Sequence, residues 1–239
     1  MAKRRAVVLD RDGTLIDIVR DEETGAITTA FHPDHIRLLA GVEEGLRVLA
    51  GAGFVLAIAT NQPGPAKGHF RREAVERTNR ALVDLLAARG APIASVAVCM
   101  HHPDGGPGGE RALIGPCDCR KPKPGLLVQL VQELRLDASA SWMVGDTSSD
   151  VDAGRAAGMR AGLVFAPNRC ELCPLRAPAE AIAETAAERS PPPSSPQRAG
   201  SPGIVSKPTI SAPPAKAALP DVTGATLLDV ARKIAAFSW

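Results

Sequence analysis

The sequence has no long apolar run and almost no net charge, and each absence removes a class of protein. No apolar stretch approaches the ~20 residues needed to cross a bilayer as a helix. The basic start, MAKRR, leads into an apolar run that stops after Leu9, too short for a signal peptide. A net charge of +2 over 239 residues gives no electrostatic case for nucleic acid or an anionic membrane as partner. There is no internal repeat. The chain is therefore expected to be cytoplasmic, and its five cysteines suggest metal or catalytic use before disulfides.

What is present is a sizeable core: 45% of residues are apolar. Apolar, β-branched runs alternate with segments of helical period. Strands are expected at 6–9, 54–60, 95–99, 142–144 and 161–165. Between them lie helical stripes at Val42, Leu46 and Leu49, at Val75, Leu82, Leu85 and Leu86, at Leu127, Leu130, Val131 and Leu134, and over 151–157. This alternation implies an α/β fold, a doubly wound parallel sheet covered on both faces, with chemistry at the carboxyl ends of its strands. Composition changes after about Ala187. Residues 190–220 hold nine prolines among Ser, Ala and Gly, a composition that cannot bury enough surface to offset its ordering entropy. Order is expected to return in the last twenty residues, where Thr226-x-x-Asp229 reads as a capping box ahead of Leu227, Val230, Ala231, Ile234 and Phe237. The expected division is a core over 1–187, a disordered insertion over 188–219 and a terminal strand–helix unit over 220–239.

Three strand ends and one loop carry polar groups. The first runs into Asp10-Arg11-Asp12-Gly13-Thr14, two carboxylates that can share a pocket, one attacking and one moving a proton. Alone, D-x-D-G reads as turn chemistry. The second ends in Thr60-Asn61-Gln62, whose hydroxyl, amides and free N–H groups suit phosphoryl oxygens, or equally a turn before Pro63-Gly64. Lys121 lies in a proline-punctuated loop as a point charge for phosphate or a solvated lysine. The third strand ends in Gly145-Asp146, with Asp150 four residues on; carboxylates suit Mg²⁺, although Asp150 reads better as a helix N-cap.

In this order on one sheet, VVLDRDGTLID, IATNQPGPAKG, CDCRKPKPG and MVGDTSSDVDAG resemble the four motifs of the haloacid dehalogenase (HAD) superfamily of aspartyl-phosphate phosphatases, over about Val7 to Phe165. More narrowly, Cys99-x-His101 and Cys117-x-Cys119 running into Arg-Lys-Pro are similar to the heptose 1,7-bisphosphate 7-phosphatases and to the related histidinol-phosphate phosphatases. The resemblance implies a Rossmann-like HAD core without a large cap domain, acting as a Mg²⁺-dependent phosphomonoesterase on a small sugar phosphate. It implies Asp10 as nucleophile and Asp12 as general acid and base. Mg²⁺ would be held by Asp10, the Asp12 carbonyl and Asp146, and Thr60, Asn61 and Lys121 would bind the transferring oxygens. Gln62 and Arg120 are expected to bind substrate, Arg120 as a rigid fork for hydroxyls or a second phosphate.

The resemblance also implies a loop-stabilising zinc, and the spacing agrees. Each x-separated pair points two side chains to the same side, giving a Cys₃His set with no open position. His102 cannot easily face the same way. The loop 103–116 has five glycines and is expected to depend on the metal for its shape. Two departures leave the sugar open: Thr147 stands where the heptose phosphatases often have Lys, and the segment IVRDEETGAITTAF is unlike theirs. Cys170 and Cys173 are expected to be plain thiols. The chain is expected to be a monomer acting on a small phosphorylated molecule. The contrasting reading is a non-catalytic scaffold on the same fold, which has no need for Asp10, Asp12, Lys121 and Asp146 together.

Overall fold

A computed structural model describes residues 3–20, 27–165 and 218–237. The described residues belong to one compact unit, in which 218–237 return to the body formed by 3–165. The expected disordered insertion lies outside them apart from Ala218 and Leu219, as do Cys170 and Cys173.

Six parallel strands make the main sheet: β1 (Ala6–Leu9), β4 (Val55–Asn61), β5 (Ser95–Cys99), β6 (Trp142–Gly145), β7 (Arg160–Val164) and β8 (Val222–Gly224), in the order β5-β4-β1-β6-β7-β8. A two-stranded antiparallel hairpin, β2 (Val19–Arg20) with β3 (Ile27–Thr28), lies outside it. Among the described residues the α-helices are α1 (Val42–Gly51), α2 (Gly64–Lys67), α3 (Arg72–Ala88), α4 (Gly125–Glu133), α5 (Ser148–Ala156) and α6 (Leu227–Ala235). β1 is buried along its whole length, as a central parallel strand must be. Its side chains alternate between two apolar layers. Val7 and Leu9 join Leu46, Leu49, Ile58, Leu82, Trp142 and Ile234 on one face, and Ala6 and Val8 join Ala59, Leu127, Leu130 and Met143 on the other.

The topology places the chemistry. β1 lies between β4 and β6, with Leu9 level with Ile58 on one side and Val144 on the other. The residues that follow these strands emerge side by side at their carboxyl ends, where open α/β sheets bind ligands. Asp10 still donates its backbone N–H to the Val144 carbonyl at 2.8 Å, so it leaves the sheet from a fixed position.

The last unit rests on its own local signals. Thr226 and Asp229 form the capping box reciprocally, and Leu227, Val230, Ala231 and Ile234 are all buried against the sheet and α1. Phe237 stands edge-on to Trp142 at 5.3 Å. Ile234→Ala should therefore cost about 2–4 kcal/mol, the range for truncating a fully buried aliphatic. Urea unfolding measures it, and a cost below ~0.5 kcal/mol would mean that α6 does not belong to the core. Among the described residues no helix is long and apolar enough to cross a membrane.

Candidate active site

Asp10, Asp146 and Asp150 each offer a carboxylate oxygen, and these oxygens lie within 4.8 Å of one another. Asp10 follows β1 and Asp146 follows β6. Asp150 is the third residue of α5. Lys121 enters this group from the loop before α4. Its Nζ is 2.8 Å from Asp10 Oδ1 and 2.6 Å from Asp150 Oδ1, and it donates to the Ala59 carbonyl at 2.8 Å. Three acceptors satisfy the three ammonium protons of an almost wholly buried lysine. Burial alone would lower the Lys121 ammonium, but Asp10 and Asp150 outweigh it and raise its pKa. Burial likewise pushes Asp10 up to about 7, opposed by Lys121 and reinforced by Asp150.

Three carboxylates against one ammonium leave excess negative charge at the strand ends. The oxygens of Asp10 and Asp146 lie within 4.8 Å of each other, close enough to share one small dication with Mg–O bonds near ~2.1 Å. Gly13 makes room for this approach. It has φ +85°, and a Cβ there would stand 2.1 Å from Asp146 Oδ2. The residues fit Mg²⁺.

Asp150 departs from the N-cap role expected of it. Thr147 is the N-cap, and Asp150 closes the capping box as third residue, its Oδ2 accepting from Thr147 N–H at 3.1 Å and Oγ1 at 2.6 Å. With its other oxygen on Lys121, it holds the lysine in place and has little left for a metal. Asn61 and Gln62 are also turned to internal partners. Asn61 brackets the Lys121 backbone, donating to its carbonyl and accepting from its N–H, both at 3.1 Å. Gln62 is fully buried, and its amide nitrogen donates to Asp12 Oδ2 at 2.5 Å and Thr60 Oγ1 at 2.9 Å.

Beside this site the four zinc candidates converge. Cys99, His101, Cys117 and Cys119 place their ligand atoms within 4.8 Å of one another. Cys99 Sγ is 3.8 Å from Cys117 Sγ and 2.8 Å from Cys119 Sγ, and His101 Nδ1 is 3.4 Å from Cys119 Sγ and 4.0 Å from Cys99 Sγ. A tetrahedral zinc with Zn–S near 2.3 Å spaces its sulfurs roughly 3.8 Å apart, so the set fits with a small opening of the Cys99–Cys119 pair. Burial raises the Cys99 thiol, and burial and then the other two sulfurs raise Cys119 far above its ordinary range. Thiols so crowded ionise together only around a cation. Cys99 is also level with Asn61 on the adjacent strand, which joins this cluster to the end of β4. Arg120 reaches back to the His101 carbonyl at 3.4 Å.

His102 lies outside the set, its Nδ1 accepting from the N–H groups of Asp104 at 3.3 Å and Gly105 at 3.1 Å. The glycine-rich loop is better anchored than its composition suggests. His102 bridges to Ile114, Glu110 donates its N–H to the Pro65 carbonyl at 3.0 Å, and Leu113 is buried.

Comparison with known proteins gives this arrangement a lineage. Residues 118–167 match the HAD-hydrolase-like family model. The chain is 36% identical over 154 residues to the D-glycero-β-D-manno-heptose-1,7-bisphosphate 7-phosphatase of Pasteurella multocida, covering 64% of this chain and 77% of that one. It is 36% identical over 152 residues to the enzyme of the same name from Escherichia coli K12, covering 64% and 74%. The chain belongs to the HAD-like phosphatases. The fold agrees with that of the D,D-heptose 1,7-bisphosphate phosphatase from B. bronchiseptica, solved with magnesium and phosphate. The TM-score is 0.61 at 22% identity, over 96% of this chain and 97% of that one.

In this phosphatase two residues with no role read from the sequence stand behind the site. Arg11 stands between the paired carboxylates but turns inward, with 0% of its surface exposed. Asn79 of α3 receives one of its N–H groups. Both left a trace in the sequence. Arg11 is a full charge inside an otherwise apolar and acidic stretch, and Asn79 takes a place in the apolar stripe Val75, Leu82, Leu86.

Proposed function

We propose that the phosphatase removes the 7-phosphate of D-glycero-β-D-manno-heptose 1,7-bisphosphate, with Asp10 as nucleophile. The observation that carries the reading is the buried Lys121 held between Asp10 and Asp150, in a chain 36% identical to a relative of that name over 77% of its length. Asp10 Oδ attacks phosphorus and forms an acyl phosphate as the bond to the sugar oxygen breaks. Asp12 gives that oxygen a proton. Water then attacks the acyl phosphate, gives its proton to Asp12, and releases phosphate and the free Asp10 carboxylate.

Lys121 is poised as the cation for the transferring oxygens, and Thr60 lies in β4 between Ala59 and Asn61, the two residues of that strand that bond Lys121. Arg120, on the same loop, is left to read the sugar or its second phosphate. Asp10 and Asp146, with the Asp12 carbonyl, would hold Mg²⁺, which when bound neutralises charge gathering on the phosphoryl group. Zinc in the Cys₃His set would fix the loop that carries Arg120 and Lys121.

Phosphate release from heptose 1,7-bisphosphate beside histidinol phosphate tests the reading. We expect kcat/KM to favour the heptose by at least about tenfold, a difference of 1.4 kcal/mol in transition-state binding. Preference for histidinol phosphate would move the substrate to the sister family, a result that Thr147 leaves room for. Exhaustive chelation should abolish release, and Mg²⁺ added to the zinc-reloaded protein should restore it. Full activity after chelation would rule out the Asp10–Asp146 metal site.

A further inference from the structure

We propose that Asn79, acting through Arg11 and together with Gln62, is a positioning residue that aims the Asp12 carboxyl for proton transfer to the leaving oxygen. The proposal rests on Asp12 as general acid, as set out above. Asp12 is held from two sides. Arg11 grips it as a fork, Nε to Oδ2 at 3.0 Å and a terminal nitrogen to Oδ1 at 3.1 Å. Gln62 donates to Oδ2 at 2.5 Å from the end of the neighbouring strand. Only 12% of the Asp12 side chain remains exposed.

The fork is itself held. Arg11 donates one terminal nitrogen to Asn79 Oδ1 at 2.7 Å and the other to the Ala30 carbonyl at 2.9 Å. Gln62 is fixed in turn, its backbone N–H donating to the Cys99 carbonyl at 2.7 Å and its amide nitrogen also donating to Thr60.

A guanidinium with no exposed surface is expensive to bury, and it is tolerated where its donors meet acceptors in good geometry. Asn79 supplies one of those acceptors from the middle of a helix, in a position that the apolar stripe would otherwise fill with an aliphatic. A bidentate fork fixes a carboxylate in direction as well as in distance. Direction is what a general acid needs, because its proton must point at the leaving oxygen as that oxygen gains charge. Asp10 receives nothing from this network: its own partner is Lys121. The fold thus orients its two first-motif carboxylates by separate means.

The separation makes the proposal testable by leaving group. A sugar or glycerol oxygen departs poorly as an anion and needs the proton, whereas p-nitrophenolate leaves without it. kcat/KM reports the steps up to release of the leaving group, so the later attack of water does not blur the comparison.

Asn79→Leu keeps the volume and removes the acceptor. It should lower kcat/KM for glycerol phosphate about 10–100-fold and for p-nitrophenyl phosphate less than about threefold, below the roughly 10²–10⁴-fold of a lost general acid because the acid is misdirected and not removed. Asn79→Asp, which restores an oxygen for Arg11, should recover most of the loss. Gln62→Met cuts the other arm without touching Arg11 and should show the same split, so the question stays decidable if Asn79→Leu does not fold. Asp12→Asn is the reference. Equal losses on both esters in Asp12→Asn would overturn the acid role of Asp12 itself. A split in Asp12→Asn, with none in Asn79→Leu or Gln62→Met, would overturn only the positioning role. A split in these variants that Asn79→Asp does not relieve would mean that the Asn79 oxygen is not what Arg11 requires.

Discussion

Asp10→Asn is expected to bring phosphate release to the limit of detection while the protein stays folded. An amide oxygen is a far weaker nucleophile toward phosphorus, and neither Asp150 nor Asp12 is free to take over. Asp150 has its oxygens on Lys121 and on Thr147, and Asp12 is held by Arg11 and Gln62. The loss should exceed about 10⁴-fold, the order seen when a catalytic nucleophile is removed. Stability should move the other way or not at all. Burial is the dominant influence on Asp10, raising its pKa to about 7 against the pull of Lys121. A carboxyl whose folded pKa lies above its unfolded value of 3.8 stabilises the fold most below pH 3.8. In the metal-free protein that contribution is lost as pH rises toward 7. At pH 8 Asn removes a desolvated charge, and Lys121 keeps Asp150 and the Ala59 carbonyl. Thermal unfolding of the metal-free variant at pH 8 should therefore match or exceed that of the wild type. Residual turnover within tenfold of wild type would end the covalent reading, and a collapsed melting temperature would show that the loss of activity came from unfolding.

The strand ends were readable because parallel strands buried on both faces are written as short β-branched runs, and a polar residue directly after such a run has one place to go. That reasoning finds the Asp10, Asn61 and Asp146 positions and the sheet that aligns them. Boundaries moved by a residue: β4 runs over Val55–Asn61 where 54–60 was expected, and β7 over Arg160–Val164 where 161–165 was expected. Apolar runs mark burial, but the ladder continues wherever backbone partners remain. The short β2–β3 hairpin was not legible, since two-residue strands carry too few side chains to show a period.

Partners across long sequence separation were invisible for another reason. Asn79 meets Arg11 across 68 residues, and Asn61 meets Lys121 across 60. Spacing along the chain says nothing of such pairs until the sheet order is known. Hence Asn61 and Gln62, read from sequence as groups facing a ligand, are found holding Lys121 and Asp12.

Cys117→Ser should remove the zinc and weaken substrate binding more than the chemical step. A hydroxyl is a poor replacement for a thiolate on zinc, and three remaining ligands leave the site open to water. Elemental analysis should find about one zinc per wild-type chain and far less in the variant. The loop then loses its staple but not every tie. Glu110 still bonds Pro65, and Leu113 remains buried, so its far side stays docked. The near side differs between two adjacent residues. Lys121 has anchors that owe nothing to the metal: Ala59, Asp10 and Asp150 at its ammonium, and Asn61 at its backbone. The Arg120 side chain has one long bond, to the carbonyl of His101, and its backbone N–H bonds Cys117, both zinc-set residues; its carbonyl accepts from Lys123 N–H. Loss of the metal should therefore free Arg120 and spare Lys121. We expect KM for the bisphosphate to rise at least about tenfold while kcat falls by less than about tenfold, the signature of lost ground-state binding. The melting temperature should fall as well, since binding energy at a structural zinc is folding energy. A kcat loss of 10³-fold or more with KM unchanged would place the zinc in control of Lys121. Zinc-free wild type, assayed with Mg²⁺, that keeps an ordinary KM and stability would show that the loop holds its shape without the zinc.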